Sequence, residues 1–74
     1  MNVQNSQIST RLLTISEVCE RLSLSRSMIY REFYNVRGKD GKIRYNPAGR
    51  LKATHIGRSI RVKERDLANF IEQL

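Results

Sequence analysis

The side chains best suited to molecular recognition lie between Arg26 and Tyr34, in the segment RSMIYREFY. Placed on a helix at about 100° per residue, this segment has a polar arc that carries Arg26, Ser27, Tyr30, Arg31 and Tyr34. Its other arc carries Met28, Ile29 and Phe33, with Glu32 among them. Guanidinium groups bind phosphate and guanine through paired hydrogen bonds. The segment therefore has the side-chain chemistry of a helix that faces a nucleic-acid groove.

The charge of the chain is concentrated around this segment. The chain has 74 residues and a formal net charge of +7. Residues 26–65 carry 12 basic and 3 acidic side chains, a net +9, whereas residues 1–25 are balanced and residues 66–74 have a net −2. A basic middle of this kind favours binding to a polyanion. The alternative is a solvated basic face that serves solubility.

Size and composition argue against several other classes of protein. A chain of 8.6 kDa makes one small domain, with too little material to wall a deep catalytic cleft. One cysteine and one histidine exclude an internal disulfide and predict no metal site. We expect no enzymatic activity, no cofactor, no membrane span and no secretory signal. The predicted location is cytoplasmic.

The first half of the chain predicts two helices joined by a short turn. Residues 1–10 are expected to be a flexible tail and residues 11–74 a single domain. Leu12–Leu13 form either a short strand or an apolar lead-in. Thr14 and Glu17 have the spacing of a capping box, and an apolar stripe follows it, so a helix is predicted over 15–22. Ser25 is a suitable N-cap for a second helix over 26–35.

The second half predicts a loop, a hairpin and a third helix. Residues 35–50 hold most of the glycines and the proline, and are expected to form a long loop around a short extended piece, Ile43–Tyr45. Ile60 and Val62 share one face of a half-buried strand, in a hairpin that turns near Gly57. An apolar stripe predicts a third helix over 64–73, formed by Leu67, Phe70, Ile71 and Leu74. The fold class is therefore α+β, mainly α with a small β-hairpin. In this winged helix-turn-helix, three helices accompany a two- or three-stranded wing.

The sequence also resembles a known family over residues 11–74. Residues 12–18 (LLTISEV), 24–27 (LSRS) and 29–31 (IYR) resemble the opening of excisionase-family DNA-binding domains. Residues 56–62 (IGRSIRV) are similar to the wing of that family, and residues 66–71 are similar to its last helix. The group is related to AlpA-type prophage regulators and, more distantly, to MerR-type winged-helix heads.

The resemblance implies a function and specific contacts. It implies a sequence-specific double-stranded DNA-binding protein, either an excisionase or a small transcriptional regulator of a mobile element. The implied contacts from helix 2 are Arg26, Ser27, Tyr30 and Arg31. The implied contacts from the wing are Arg58, Ser59 and Arg61. Further expected partners are an integrase or other recombinase, or RNA polymerase, with the protein monomeric in solution or assembling cooperatively on DNA.

Three departures from the family pattern stand out. Ser23 occupies a turn position that often carries glycine, which predicts strain if the backbone there needs a positive φ. Glu32 replaces a usually apolar residue, and either pairs with an arginine or lies at the core edge. The stretch 38–49 is longer than the family's link. Its basic residues either extend the DNA footprint or form a mobile basic loop; they are Lys39, Lys42, Arg44 and, just beyond the stretch, Arg50.

Several residues have plainer interpretations. Core packing is favoured for Met28 over contact with a thymine methyl, and also for Cys19. Tyr34 is expected to pack at the core rim. His55 is interpreted as a wing-strand residue or a phosphate neighbour. The alternative function is a protein-interaction module, such as an antitoxin-like protein or a recombinase cofactor, that binds an acidic partner.

Overall fold

The computed structural model describes residues 11–74 and contains three helices and two small antiparallel sheets. The predicted tail, residues 1–10, lies outside the described residues. The helices are α1 (Ile15–Leu22), α2 (Arg26–Glu32) and α3 (Glu64–Glu72). The strands are β1 (Leu12–Leu13), β2 (Asn35–Arg37), β3 (Ile43–Tyr45), β4 (Thr54–Ile56) and β5 (Ser59–Lys63). The α+β class is confirmed.

The two sheets are separate. Strands β1, β5 and β4 form a three-stranded sheet in that order, so Leu12–Leu13 is a strand and pairs with Val62 and Lys63. We call β4, β5 and their turn the 54–63 hairpin. Strands β2 and β3 pair only with each other, from Asn35 opposite Tyr45 to Arg37 opposite Ile43. We call them and their turn the 35–45 hairpin.

Local sequence signals define α1. The Thr14 hydroxyl accepts a hydrogen bond from the Glu17 backbone N–H at 3.1 Å. In return, the Glu17 carboxylate accepts from the Thr14 backbone N–H at 2.8 Å, which completes the predicted capping box. That backbone hydrogen bond, together with the nearby Arg11 guanidinium, lowers the pKa of Glu17 below its ordinary value. The start of α1 is therefore stabilised by neighbouring residues alone.

The turn between α1 and α2 has the positive φ at Ser23 for which the sequence predicts strain. Ser23 has φ +55°, and it is the non-glycine residue with a positive φ in the described part of the chain. The N–H of Leu24 donates to the Cys19 carbonyl at 3.1 Å, and this bond closes the helix end. The Ser25 hydroxyl then accepts from the Met28 N–H at 3.3 Å and starts α2.

Replacing Ser23 with glycine should stabilise the protein. A left-handed conformation costs a residue with a Cβ about 1–2 kcal/mol, partly offset by the greater unfolded-state entropy of glycine. We expect a net gain of about 0.5–1 kcal/mol in the free energy of unfolding, measured by urea denaturation. Ser27→Gly, at an exposed helical position of α2, is the control and should be destabilising. A loss of stability in Ser23→Gly would contradict this explanation of the turn.

Helix α2 is shorter than predicted. The sequence predicted a helix over 26–35, but Phe33 is extended, with φ −67° and ψ 130°. The Glu32 carbonyl accepts from the N–H groups of Arg50 and Leu51 at 2.8 and 2.9 Å. The Tyr34 N–H donates to the Leu51 carbonyl at 2.8 Å. The helix ends because residues 50–51 supply backbone partners that a further helical turn would displace.

The prediction of a long loop over residues 35–50 is also wrong in part. Ile43–Tyr45 is extended, as expected, but it has a strand partner in β2. At the tip, the Gly38 N–H donates to the Lys42 carbonyl at 2.8 Å, and Asp40 accepts from the Lys42 N–H at 3.0 Å. Lys39, Lys42 and Arg44 therefore lie on a hairpin.

One core joins all three helices to the three-stranded sheet. Its buried members are Leu13, Ile15, Val18, Ile29, Phe33, Leu51, Ala53, Val62, Leu67 and Phe70. Cys19 and Ile60 pack against this cluster, as predicted, and are partly buried. In α3 the predicted apolar stripe is only half buried, because Ile71 and Leu74 are 46% and 68% exposed. The helix ends at Glu72, one residue before the predicted end.

Candidate nucleic-acid interface

Helix α2 is attached to the core by a narrow strip of its surface. Ile29 is its one buried residue, and Phe33, just past its end, is 1% exposed. The predicted contact residues of this helix are all exposed: Arg26, Ser27, Tyr30 and Arg31. Arg31 lies roughly 180° around the helix from the middle of the Ile29–Phe33 strip. The polar arc of α2 therefore faces solvent.

Two arginines on this arc differ in how firmly they are held. Arg26 donates to the Ser16 hydroxyl at 3.3 Å and lies 6.0 Å from the centre of the Tyr30 ring. The Tyr30 ring meets Phe33 edge-on, with 5.6 Å between centroids. Within residues 11–74, no hydrogen bond, ion pair or ring contact holds the Arg31 side chain. Arg31 is therefore free to pair with an external group.

The prediction that Met28 packs in the core is wrong. Its side chain is 46% exposed because it lies about 100° from Ile29 on the helix, outside the narrow strip that the core covers. The apolar surface of Met28 thus adjoins the polar arc. Contact with a thymine methyl, the interpretation that the sequence disfavoured, stays open.

The 54–63 hairpin carries the second set of predicted contacts. Its two-residue turn places Gly57 at φ +58°, a conformation that tight hairpin turns require and glycine allows. Arg58 and Ser59 are exposed at this turn. Arg61 is half-buried, and its guanidinium donates to the Ile60 carbonyl at 2.9 Å. Arg58 and Ser59 are therefore the more accessible of the three residues.

The 35–45 hairpin is fastened to the 54–63 region by hydrogen bonds that the sequence did not suggest. The Asn35 side chain donates to the Ala53 carbonyl at 2.9 Å and accepts from the Ala53 N–H at 2.8 Å. His55 Nε2 lies 3.1 Å from the Asn35 carbonyl oxygen. The Arg37 guanidinium donates to the Gly57 carbonyl. These bonds hold the two hairpins against each other.

The predicted basic residues of the 35–45 hairpin lie near its tip. Lys39, Lys42 and Arg44 are exposed, and Arg44 lies 3.8 Å from the Asp40 carboxylate. A surface pair of this kind contributes little to stability. Beside the hairpin, the Tyr34 ring packs on Tyr45, with 5.2 Å between centroids, and remains 44% exposed. This position is consistent with the rim interpretation of Tyr34.

Arg50 has partners within the protein. Its guanidinium donates to both Glu32 carboxylate oxygens, at 3.2 and 3.3 Å. It also lies 5.5 Å from the centre of the Phe70 ring. Of the two interpretations of Glu32, pairing with an arginine or a position at the core edge, the structure shows the pairing. Arg50 fastens the end of α2 to α3, so the structure provides a role for it apart from any external ligand.

These elements meet around one groove, which we call the central groove. Its volume is about 220 Å³. Residues from α2, from the segment that follows it and from both hairpins line it: Tyr30, Phe33, Val36, Arg37, Gly38, His55, Arg58 and Ile60. Of these, the sequence pointed to Tyr30 and Arg58 as contacts and to His55 as a phosphate neighbour. It did not point to Arg37.

Two other kinds of site do not occur within residues 11–74. No three histidine, cysteine, aspartate or glutamate side chains lie close enough together there to hold a metal ion. Among the helices of the same residues, none is long and apolar enough to cross a membrane.

Comparison with known proteins identifies the family. A family model described as a helix-turn-helix domain matches residues 12–74. No curated protein and no solved structure matches the chain. The match covers both helices of the predicted motif, the two hairpins and α3. The chain belongs to this helix-turn-helix family, and it is a DNA-binding helix-turn-helix protein.

Proposed function

We propose that this protein binds double-stranded DNA sequence-specifically, with α2 in the major groove and both hairpins against the flanking backbone. The observation that carries the proposal is the lining of the central groove, because it brings α2 and the two basic hairpins to one place. A polyanion that crosses this groove can contact all three elements. The major groove is about 12 Å wide and admits a helix.

Different charged residues provide affinity for DNA and recognition of its sequence. Exposed lysines and arginines on the hairpins supply phosphate contacts, which give most of the affinity and make it dependent on salt. Arg31, which points away from the core and has no partner among residues 11–74, supplies base readout. A guanidinium paired with guanine O6 and N7 is the commonest specific contact of this kind.

The small size of the interface implies further partners, and the family resemblance suggests the biological role. A single module buries about 600–1,000 Å² on DNA, so useful occupancy requires neighbouring sites or a second protein. We propose cooperative binding to adjacent sites, with an integrase or RNA polymerase as the further partner. The corresponding roles are an excisionase and a small transcriptional regulator of a mobile element.

Selection from a pool of random duplexes tests this function. The wild-type chain should enrich one sequence and bind it more tightly than random DNA, with a Kd that rises steeply with salt. Absence of binding, or binding without any sequence preference, would contradict the proposal. Retention by an acidic protein without duplex binding would favour the protein-interaction alternative. If the protein is an excisionase, the selected sequence should lie in a recombination attachment site. If it is a transcriptional regulator, the sequence should lie in a promoter.

Neutralising the tip of the 35–45 hairpin should reduce the salt dependence of binding. In the variant Lys39→Gln/Lys42→Gln/Arg44→Gln, the slope of log K against log salt should fall by about 0.9 for each phosphate that the variant no longer neutralises. The hairpin should remain folded, because the bonds of Asn35 and Arg37 hold it in place.

The control for this prediction is Arg65→Gln, which removes one exposed charge from the first turn of α3 and should leave the slope unchanged. Filter binding at four or more salt concentrations gives the slope. A triple variant with the wild-type slope would place the hairpin tip away from DNA.

A further inference from the structure

The central groove has a size and a position that suit part of a DNA strand. Its volume of about 220 Å³ is below the roughly 300–1,000 Å³ typical of sites for free small molecules. Tyr30 of α2 and Arg58 of the 54–63 hairpin both line the groove. When a helix occupies a major groove and a hairpin contacts the flanking backbone, a sugar–phosphate strand lies between the two elements.

The lining of the groove combines two kinds of surface. One surface is an apolar and aromatic wall, formed by Tyr30, Phe33, Val36 and Ile60. Arg37 and Arg58 provide guanidinium groups. Deoxyribose presents carbon atoms and its phosphate presents anionic acceptors, so one nucleotide unit of the backbone complements both surfaces.

Arg37 has an unused donor. Its guanidinium donates to the Gly57 carbonyl, while its Nε is buried and has no acceptor among the described residues. A buried N–H without a partner is unfavourable, and guanidinium groups bind phosphate oxygens through two parallel N–H donors. Arg58 is exposed and, within residues 11–74, its side chain has no hydrogen-bond or ion-pair partner.

His55 belongs to the wall of the groove. The carbonyl oxygen of Asn35 can only accept, so His55 Nε2, 3.1 Å away, is the donor. That N–H is therefore already used within the protein. Arg37 and Arg58 are the arginines that line this groove.

We propose that the central groove holds one deoxyribose phosphate of the bound DNA, with Arg37 and Arg58 on the phosphate and the apolar wall against the sugar. The inference rests on the proposed function and adds a DNA contact from Arg37, which lies next to the turn of the 35–45 hairpin. Arg37 then has two roles, since it also joins the two hairpins through Gly57.

Spectroscopy of the wild-type chain tests the contact without any substitution. The probe is the duplex obtained by selection, and the signals are the side-chain Nε–H resonances of Arg37, Arg58 and Arg31 in a ¹⁵N NMR titration. All three should shift on binding. If Arg31 shifts while Arg37 and Arg58 do not, the groove inference is overturned and the proposed function stands. If no signal moves and no binding is detected, the proposed function itself fails.

A scan of the duplex with single neutral methylphosphonates locates the phosphate. One position should weaken wild-type binding by about tenfold, the effect of removing one charge-assisted hydrogen bond. In Arg37→Gln the same position should cause a clearly smaller decrease, because only Arg58 remains on that phosphate, whereas Arg65→Gln should keep the full tenfold decrease. Equal decreases in Arg37→Gln and wild type at every position would overturn the assignment. Arg58→Gln, at an exposed turn position, supplies the same comparison if Arg37→Gln fails to fold.

Discussion

Replacing Gly49 with alanine should destabilise the protein by about 3 kcal/mol or more. A Cβ at this position would lie 2.4 Å from the Phe33 carbonyl oxygen and 2.7 Å from the Tyr34 Cα. These are backbone atoms, so no side-chain rotation can relieve the overlap. The strain arises from close approach of two chain segments, because Gly49 does not have a positive φ.

The surrounding hydrogen bonds prevent the segment from moving away. Arg50 and Leu51, which follow Gly49, donate to the Glu32 carbonyl, and Leu51 is fully buried. A shift large enough to accept the methyl group would break these bonds and open the core beside Phe33. The end of α2 and the start of the 35–45 hairpin would unfold together.

Thermal unfolding measures the effect. For a domain of this size, about 3 kcal/mol corresponds to a decrease in Tm of roughly 12–24 °C. Gly38→Ala is the matched control, since the nearest atoms to a Cβ there belong to the side chains of Asp40 and Arg44, at 3.0 and 3.3 Å. It should change Tm far less. If Gly49→Ala were as stable as Gly38→Ala, the explanation would be contradicted. A Cβ at Gly49 would then have to fit beside the Phe33 carbonyl oxygen, which lies 2.4 Å from its ideal position.

The sequence predicted those features that depend on neighbouring residues. The capping box of Thr14 and Glu17 joins residues three positions apart, and its two partners identify each other by spacing. The predicted hairpin turn at Gly57 is equally local. At Ser23 the sequence indicated only that a positive φ would be strained. The exposed arc of α2 follows from helical periodicity. For such features, the residue types alone select the backbone conformation.

The remaining features depend on partners far along the chain. Helix α2 ends at Glu32 because Arg50 and Leu51 return to its carbonyl, and no propensity within residues 26–35 indicates that. Strand β2 is only three residues long, too short for alternation to identify. Arg37 was one basic residue among many in a loop, and its partner Gly57 lies 20 residues away.

Arg31 is the residue whose removal should most affect the choice of DNA sequence. In Arg31→Ala the preference for the selected duplex over a variant at the contacted base pair should fall by about 1–3 kcal/mol, the contribution of one bidentate contact to guanine. The fold should be unaffected, because Arg31 is exposed and alanine is a good helix former. Competition binding with the two duplexes measures the change.

Arg31→Lys separates readout from charge. Lysine keeps the positive charge but lacks the planar fork that pairs with guanine O6 and N7. We therefore expect this variant to lose much of the preference while the slope of log K against log salt stays at the wild-type value. If Arg31→Lys instead kept the full preference, Arg31 would be acting on a phosphate as a point charge. Base readout would then lie elsewhere on the exposed surface of α2, with Arg26 and Met28 as the next residues to replace.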